Sequence, residues 1–164
     1  MIWGAVLGGL LSILLLLRYF TGTFLSSSLL LGFLERLIQI VGLYMVVVKF
    51  PFAPEKRRWL HLFGYGTLVM IFASVLTSFT TYLLYTFDPE LMQQSIELAK
   101  QGLEALKPYS GQTAEYEEAF SGMNPFILFF SNLLSASFMG ILLSAGVSAF
   151  CMLSLLVRRN NHFR

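Results

Sequence analysis

The chain has 164 residues, 56% of them hydrophobic, with a formal charge of +2. That length holds one domain, and so small a charge gives no footing for a nucleic-acid partner. A lone cysteine, Cys151, excludes an intramolecular disulfide and a thiolate metal cluster.

Four apolar runs dominate, at about residues 2–20, 28–48, 60–85 and 126–157. Roughly twenty apolar residues carry a helix across a bilayer's hydrocarbon core. Since lipid cannot satisfy a bare backbone, runs of this length predict an all-α fold, an integral membrane bundle of four transmembrane helices filling residues 1–164 as one domain.

The first run is too long for an ordinary signal-peptide core. It has no convincing small-residue cleavage site before Arg18 and Tyr19, so it reads as a retained span. Gly4, Gly8 and Ser12 recur every fourth residue along it, a flat stripe for close helix approach.

In the second run Ser28, Gly32, Glu35, Gln39 and Gly42 follow steps of four and three, which sets an acid, an amide and small residues on one stripe. Glu35 falls about 10 Å below the end at which the helix begins, too deep for its short side chain to reach water freely. Arg36 is adjacent, but neighbouring helical residues point about 100° apart, so each of the two requires another partner.

Residues 49–59 follow, with Lys49, Lys56, Arg57 and Arg58 against Glu55 alone; Arg158, Arg159 and Arg164 follow the fourth run. The positive-inside rule assigns both segments, and hence both termini, to the cytoplasm. Trp3 and Trp59 read as interface anchors.

The third run carries Ser74, Thr77, Ser78 and Thr81, besides Thr67, with Tyr82 and Tyr85 near its end; the fourth carries Ser131, Asn132, Ser135 and Ser137 at a similar depth. Around Glu35, Arg36 and Gln39 these residues assemble a candidate polar cavity comprising Ser74, Thr77, Ser78, Thr81 and Asn132. It reads either as an outward chamber for an ion, proton or head group, or as hydrogen bonding that holds the bundle together.

Between the third and fourth runs lies an acidic segment, 88–124, with seven acids against Lys100 and Lys107, a formal −5. That charge places it outside. Asp88 and Pro89 form a cap and first turn, and Met92, Ile96, Ala99, Leu103 and Leu106 form an apolar stripe. After Pro108 to Gly111 a shorter helix from Thr113, with Tyr116, Phe120 and Met123 on one side, completes an extracytoplasmic helical hairpin. It caps the bundle or docks a partner.

The fourth run repeats the small-residue signal with Ala136, Gly140, Ser144 and Ser148. Its partner is the first run's stripe or another protein. At about 48 Å the run exceeds a 30 Å core, so it tilts, kinks near Gly140 or rises above the membrane.

Enzyme signatures are missing. His61 and His162 lack the companions a metal site needs, no phosphate loop or nucleophile elbow occurs, and Asp88 with Glu90 reads as a helix start before it reads as a cation site. No cofactor, metal or catalytic residue is assigned.

The succession of a short first span, a basic loop after the second, a third span closing on Tyr82-Leu-Leu-Tyr85-Thr-Phe-Asp88-Pro89-Glu90, a Glu- and Gln-rich outer segment and a final Arg158-Arg159 resembles a family of four-span bacterial inner-membrane proteins, catalogued as the domain of unknown function DUF4199. The resemblance covers nearly the whole chain. It implies the fold and topology and supplies no activity; members look like genomic neighbours of polyprenyl-phosphate sugar transferases, which implies accessory work on envelope glycans or lipids. The chain departs from the pattern in having almost no basic residue before its first span.

The functional expectation is a non-enzymatic accessory or scaffold subunit of the cell envelope, in the bacterial inner membrane. The alternative is a small transporter or lipid-binding protein with an outward-facing cavity around Glu35. Partners are membrane lipid and a second protein or copy of the chain, not nucleic acid.

Overall fold

A computed structural model describes residues 2–25, 29–49, 59–110 and 122–161, with side chains described in 2–25, 30–49, 59–101 and 122–154. Among these, five helices and no strand occur: α1 (Ile2–Phe20), α2 (Leu29–Val48), α3 (Trp59–Phe87), α4 (Pro89–Ser110) and α5 (Pro125–Asn161). Four of them, all but α4, are long and apolar enough to cross a membrane. Only 6% of the α5 window is buried, while Leu134, Phe138 and Phe150 stand more than 60% exposed on it. Such a surface is stable against lipid and not against water.

The long helices end where local chemistry stops them. Gly22 takes φ +67°, its N–H donates to Tyr19 O at 3.0 Å, and that of Thr23 donates to Arg18 O at 2.9 Å. This left-handed closure ends α1 and turns the chain back over it. Asp88 Oδ1 accepts from the Leu91 N–H at 3.1 Å, and Asn124 Oδ1 from the Ile127 N–H at 2.9 Å, so α4 and α5 each start on a side-chain cap followed by proline.

Helix α3 is the spine. α1 packs on one side of it and α5 on another, while α2 closes the remaining side against α1, α3 and α5. Both small-residue stripes rest on this spine and not on each other. A Cβ on Gly4 would lie 2.8 Å from Phe72 Cβ, one on Gly8 2.9 Å from Ala73 Cα, and one on Gly140 2.8 Å from Met70 Cβ. Thr80 Oγ1 hydrogen-bonds Ser12 Oγ at 3.0 Å, and Ser144 Oγ donates to Phe63 O at 3.0 Å. Ser148 is fully buried and its hydroxyl finds no partner among the described residues; Ala136 faces a cavity. α5 is helical throughout, uninterrupted at Gly140, and at 37 residues extends about 55 Å.

The apolar core of Leu7, Leu43, Val47, Leu62, Val147 and their neighbours fills the half of the bundle nearer Trp3. Lys49 Nζ lies 5.2 Å over the Trp3 ring there, and Trp59 stacks on Phe63. The opposite half, the Arg18 end, carries Arg18, Glu35, Arg36, Gln39, Asp88 and Asn124, while the Trp3 half also buries the hydroxyls of Ser144 and Ser148.

On α4, Leu91 is the buried anchor, with Met92 and Ile96 half-buried and Ala99 exposed. The expected stripe is therefore rotated by about one residue at its start. Leu103 and Leu106, the second limb of the hairpin from Thr113, Ser28, and the basic loop Lys56 to Arg58 lie outside the residues whose side chains are described.

Candidate functional site

Arg18 is the residue about which the site is built. The turn that ends α1 brings Phe24 O back to accept from Arg18 Nη2 at 3.1 Å. Its Nη1 lies 3.5 Å from Glu35 Oε2 on α2. Glu35 Oε1 accepts from Gln39 Nε2 at 3.5 Å, and Gln39 Oε1 accepts from Arg36 Nη1 at 2.9 Å. Cation, carboxylate, amide and cation thus stand in line, fixed at one end by a loop carbonyl.

That line runs along the wall of a cavity of about 140 Å³ enclosed by all four long helices. Leu11, Leu14 and Arg18 come from α1, Glu35, Arg36 and Gln39 from α2, Ser74 and Thr77 from α3, and Asn132, Ser135 and Ala136 from α5. At about 30 Å³ per water, four or five waters or a small polar group would occupy it. Toward the Arg18 end lies a wider cavity of about 410 Å³, walled by Phe24, Thr81, Tyr85, Leu128 and Ser131. Arg18, Glu35, Asn132 and Ser135 belong to both walls, so the ion pair stands where the two cavities meet.

Two of the wall hydroxyls, those of Thr77 and Thr81, spend their protons on their own helix. Thr77 Oγ1 donates to Ala73 O and Ser74 O at 3.1 Å, and Thr81 Oγ1 to Thr77 O at 3.1 Å. Their oxygens are left as acceptors. Asn132 Nδ2 reaches Ser78 Oγ at 3.4 Å and Thr81 Oγ1 at 3.5 Å, which ties α5 to α3 at cavity depth.

Of the residues singled out from sequence, Glu35, Arg36, Gln39, Ser74, Thr77 and Asn132 line the inner cavity, and Thr81 the outer. Ser78 is fully buried behind Asn132 and lines neither. Glu35 and Arg36 do take different partners, one across helices and one three residues along its own. Arg18, which sequence reasoning passed over, is the partner of Glu35; a cation near the end of the first run was its signal. Among the described residues no three His, Cys, Asp or Glu side chains come together as metal ligands.

At the same end Tyr19 OH donates to Asp88 Oδ2 at 3.1 Å, which joins the end of α1 to the cap of α4. Phe24 and Tyr85 meet edge to face with centroids 6.1 Å apart at the rim of the outer cavity.

The chain belongs to the family described as "Protein of unknown function (DUF4199)", whose family model matches residues 2–152. No curated protein and no solved structure matches it.

Proposed function

We propose that this protein is a non-enzymatic multi-pass membrane protein that takes a small polar solute or a lipid head group into the cavity between its four spans, as a small transporter or lipid-binding protein does. The observation that supports this reading is the Arg18–Glu35 pair at the junction of two cavities. An ion pair retained for packing alone sits in a filled interface, because charge in hydrocarbon is tolerated only against protein or water. This pair instead faces space on both sides. Parting it joins the wide cavity to the narrow one, so passage is coupled to a charge contact that a solute's own charge or dipole can replace.

The proposed setting is a bacterial inner membrane with both termini cytoplasmic and the Arg18 end outside, supported by the basic residues of the 49–59 segment and Arg158-Arg159 against the acidic 88–124 segment. The small-residue ridges lend a scaffold little support, because α3 occupies both. An accessory envelope role keeps support from α4, where Leu98 is exposed among Glu90, Gln93, Gln94 and Glu97. It predicts a stoichiometric partner on extraction in mild detergent, and extraction without one counts against it.

Thiol accessibility tests the cavity reading without knowledge of the ligand. In a Cys151→Ala background, Ser135→Cys at the junction and Leu134→Cys on the bundle exterior are exposed in intact cells to a charged, membrane-impermeant methanethiosulfonate. A thiolate forms in a wet cavity and not in lipid, so position 135 should react about tenfold faster or more. Equal rates at the two positions refute a cavity open to water.

A further inference from the structure

Among the described residues, the charges on the cavity wall do not balance: Arg18 and Arg36 bring two guanidiniums to it and Glu35 one carboxylate, while Gln39, Ser74, Thr77 and Asn132 are neutral. Glu35 answers Arg18 at 3.5 Å, but the partner of Arg36 is the amide oxygen of Gln39, and among the described residues no carboxylate lies within ion-pair reach of it. Arg36 sits about 10 Å along α2 from Leu29. A lone arginine at that depth ordinarily extends toward the nearer surface. Here its guanidinium is held by Gln39, a residue one turn farther from that surface, and Arg36, although exposed over more than a third of its surface, also lines the cavity. A surplus cation turned toward a cavity among membrane helices is stabilised by a counter-charge that enters the cavity.

We propose that the ligand of this cavity is an anion presenting phosphate or carboxylate oxygens, held between Arg18 and Arg36, and that Glu35 is its tethered stand-in at Arg18. The inference rests on the cavity reading above and names the ligand's charge. Guanidinium donors lie in a planar fork that matches paired phosphate or carboxylate oxygens. The Glu35 contact at 3.5 Å is longer than a well-formed charge-assisted bond of about 2.8 Å, so an incoming oxyanion has geometry to gain at Arg18. Gln39 donates to Glu35 over an equally long 3.5 Å and is free to turn that N–H to the newcomer. Anion entry therefore displaces the Glu35 carboxylate from Arg18 and opens the junction in one step. Charge on the ligand selects it and also unlocks its route.

The test uses the full-length protein in nanodiscs with two probes that share this chemistry. Inorganic phosphate is titrated against protein in phosphatidylcholine discs, and phosphatidylglycerol retention is measured by native mass spectrometry from mixed phosphatidylglycerol and phosphatidylcholine discs. Glu35→Gln, which removes the internal competitor, should tighten binding on the order of threefold to tenfold. Arg36→Gln and Arg18→Gln should each weaken it about tenfold or more. If Arg18→Gln fails to fold, Arg18→Lys keeps the charge without the fork and Arg36→Gln carries the comparison. Saturable phosphate binding with this pattern identifies a free anion, selective phosphatidylglycerol retention with the same pattern identifies a head group, and either supports the proposal. If Glu35→Gln weakens binding, or choline or glycerol binds in place of both anions and is blocked by Ser135→Trp, the anion assignment is overturned while the cavity reading stands. Loss of the thiol-accessibility difference between positions 135 and 134 overturns both.

Discussion

Gly8 and Gly9 are adjacent in α1 yet live in opposite surroundings. A Cβ on Gly8 would lie 2.9 Å from Ala73 Cα and 2.9 Å from Leu76 Cδ1, whereas one on Gly9 meets nothing within 4 Å. Gly8→Ala must push α1 off the spine, since one of its two closest obstacles is the Ala73 backbone, and is expected to destabilise by about 1–3 kcal/mol. Gly9→Ala only relieves the conformational freedom of a helical glycine and is expected to be neutral or to stabilise by up to about 1 kcal/mol. Thermal unfolding in one detergent reads both, and equal effects from the two would remove the close α1–α3 contact from the account. The spacing of Gly4, Gly8 and Ser12 made this contact legible as a contact, but not its partner, because small residues favour any close helix and carry no complementary code. Arg18 was hidden for a different reason. By helical rise it sits about 3 Å from the end of α1, and Glu35 about 9 Å from the start of α2, so residue counting does not bring them level. The reach of the arginine side chain closes that difference.

At the scale of the helix, α4 hangs on its first turn. Asp88 serves two donors there, the Leu91 N–H through Oδ1 and the Tyr19 hydroxyl through Oδ2, each at 3.1 Å. Of the four long helices it packs chiefly against α3, with Leu91 buried. Asp88→Ala removes the cap, worth about 1 kcal/mol, together with the tether to α1. Tyr19→Phe removes the tether alone. Amide hydrogen exchange over residues 89–95 should therefore quicken about fivefold or more in Asp88→Ala and less in Tyr19→Phe, with Asp88→Asn nearest the original protein because an asparagine oxygen still caps. Identical exchange in all three would mean that packing, not the cap, holds this helix. The start of α4 was readable in Asp88-Pro89 because capping is decided within three residues. The rotation of its apolar face onto Leu91 was not, since the neighbour that covers it is set by where α3 ends.

For the whole molecule, lipid decides what sequence can reveal. Run length alone predicted four spanning helices, because a bare backbone has no other way through hydrocarbon. Nothing in composition marked α3 as the spine. Away from the cavity residues each span is apolar on the lipid-facing side as much as on the packed one, so amphipathic patterning does not separate core from surface as it does in water. Polar residues carried the remaining signal, which is why the candidate cavity was legible in outline while the packing order was not. Orientation rests on charge at the two ends. Lys49 and the end of α5 lie at the Trp3 end, where α2 leads into a segment whose sequence carries Lys56, Arg57 and Arg58, while Asp88 and Asn124, which bound a stretch of formal charge −5, lie at the Arg18 end. Moving the first set outward would carry at least six basic residues across the membrane and leave the acids facing the cytoplasm, against the bias that sets topology. In the Cys151→Ala background, an impermeant maleimide should label Gln101→Cys in intact cells and label Asn160→Cys only after permeabilisation. Labelling of both from the same face would break the even-span topology; the reverse pattern would turn the wide cavity toward the cytoplasm. In that reversed case a solute could no longer reach the Arg18–Glu35 junction from outside the cell, whatever its charge.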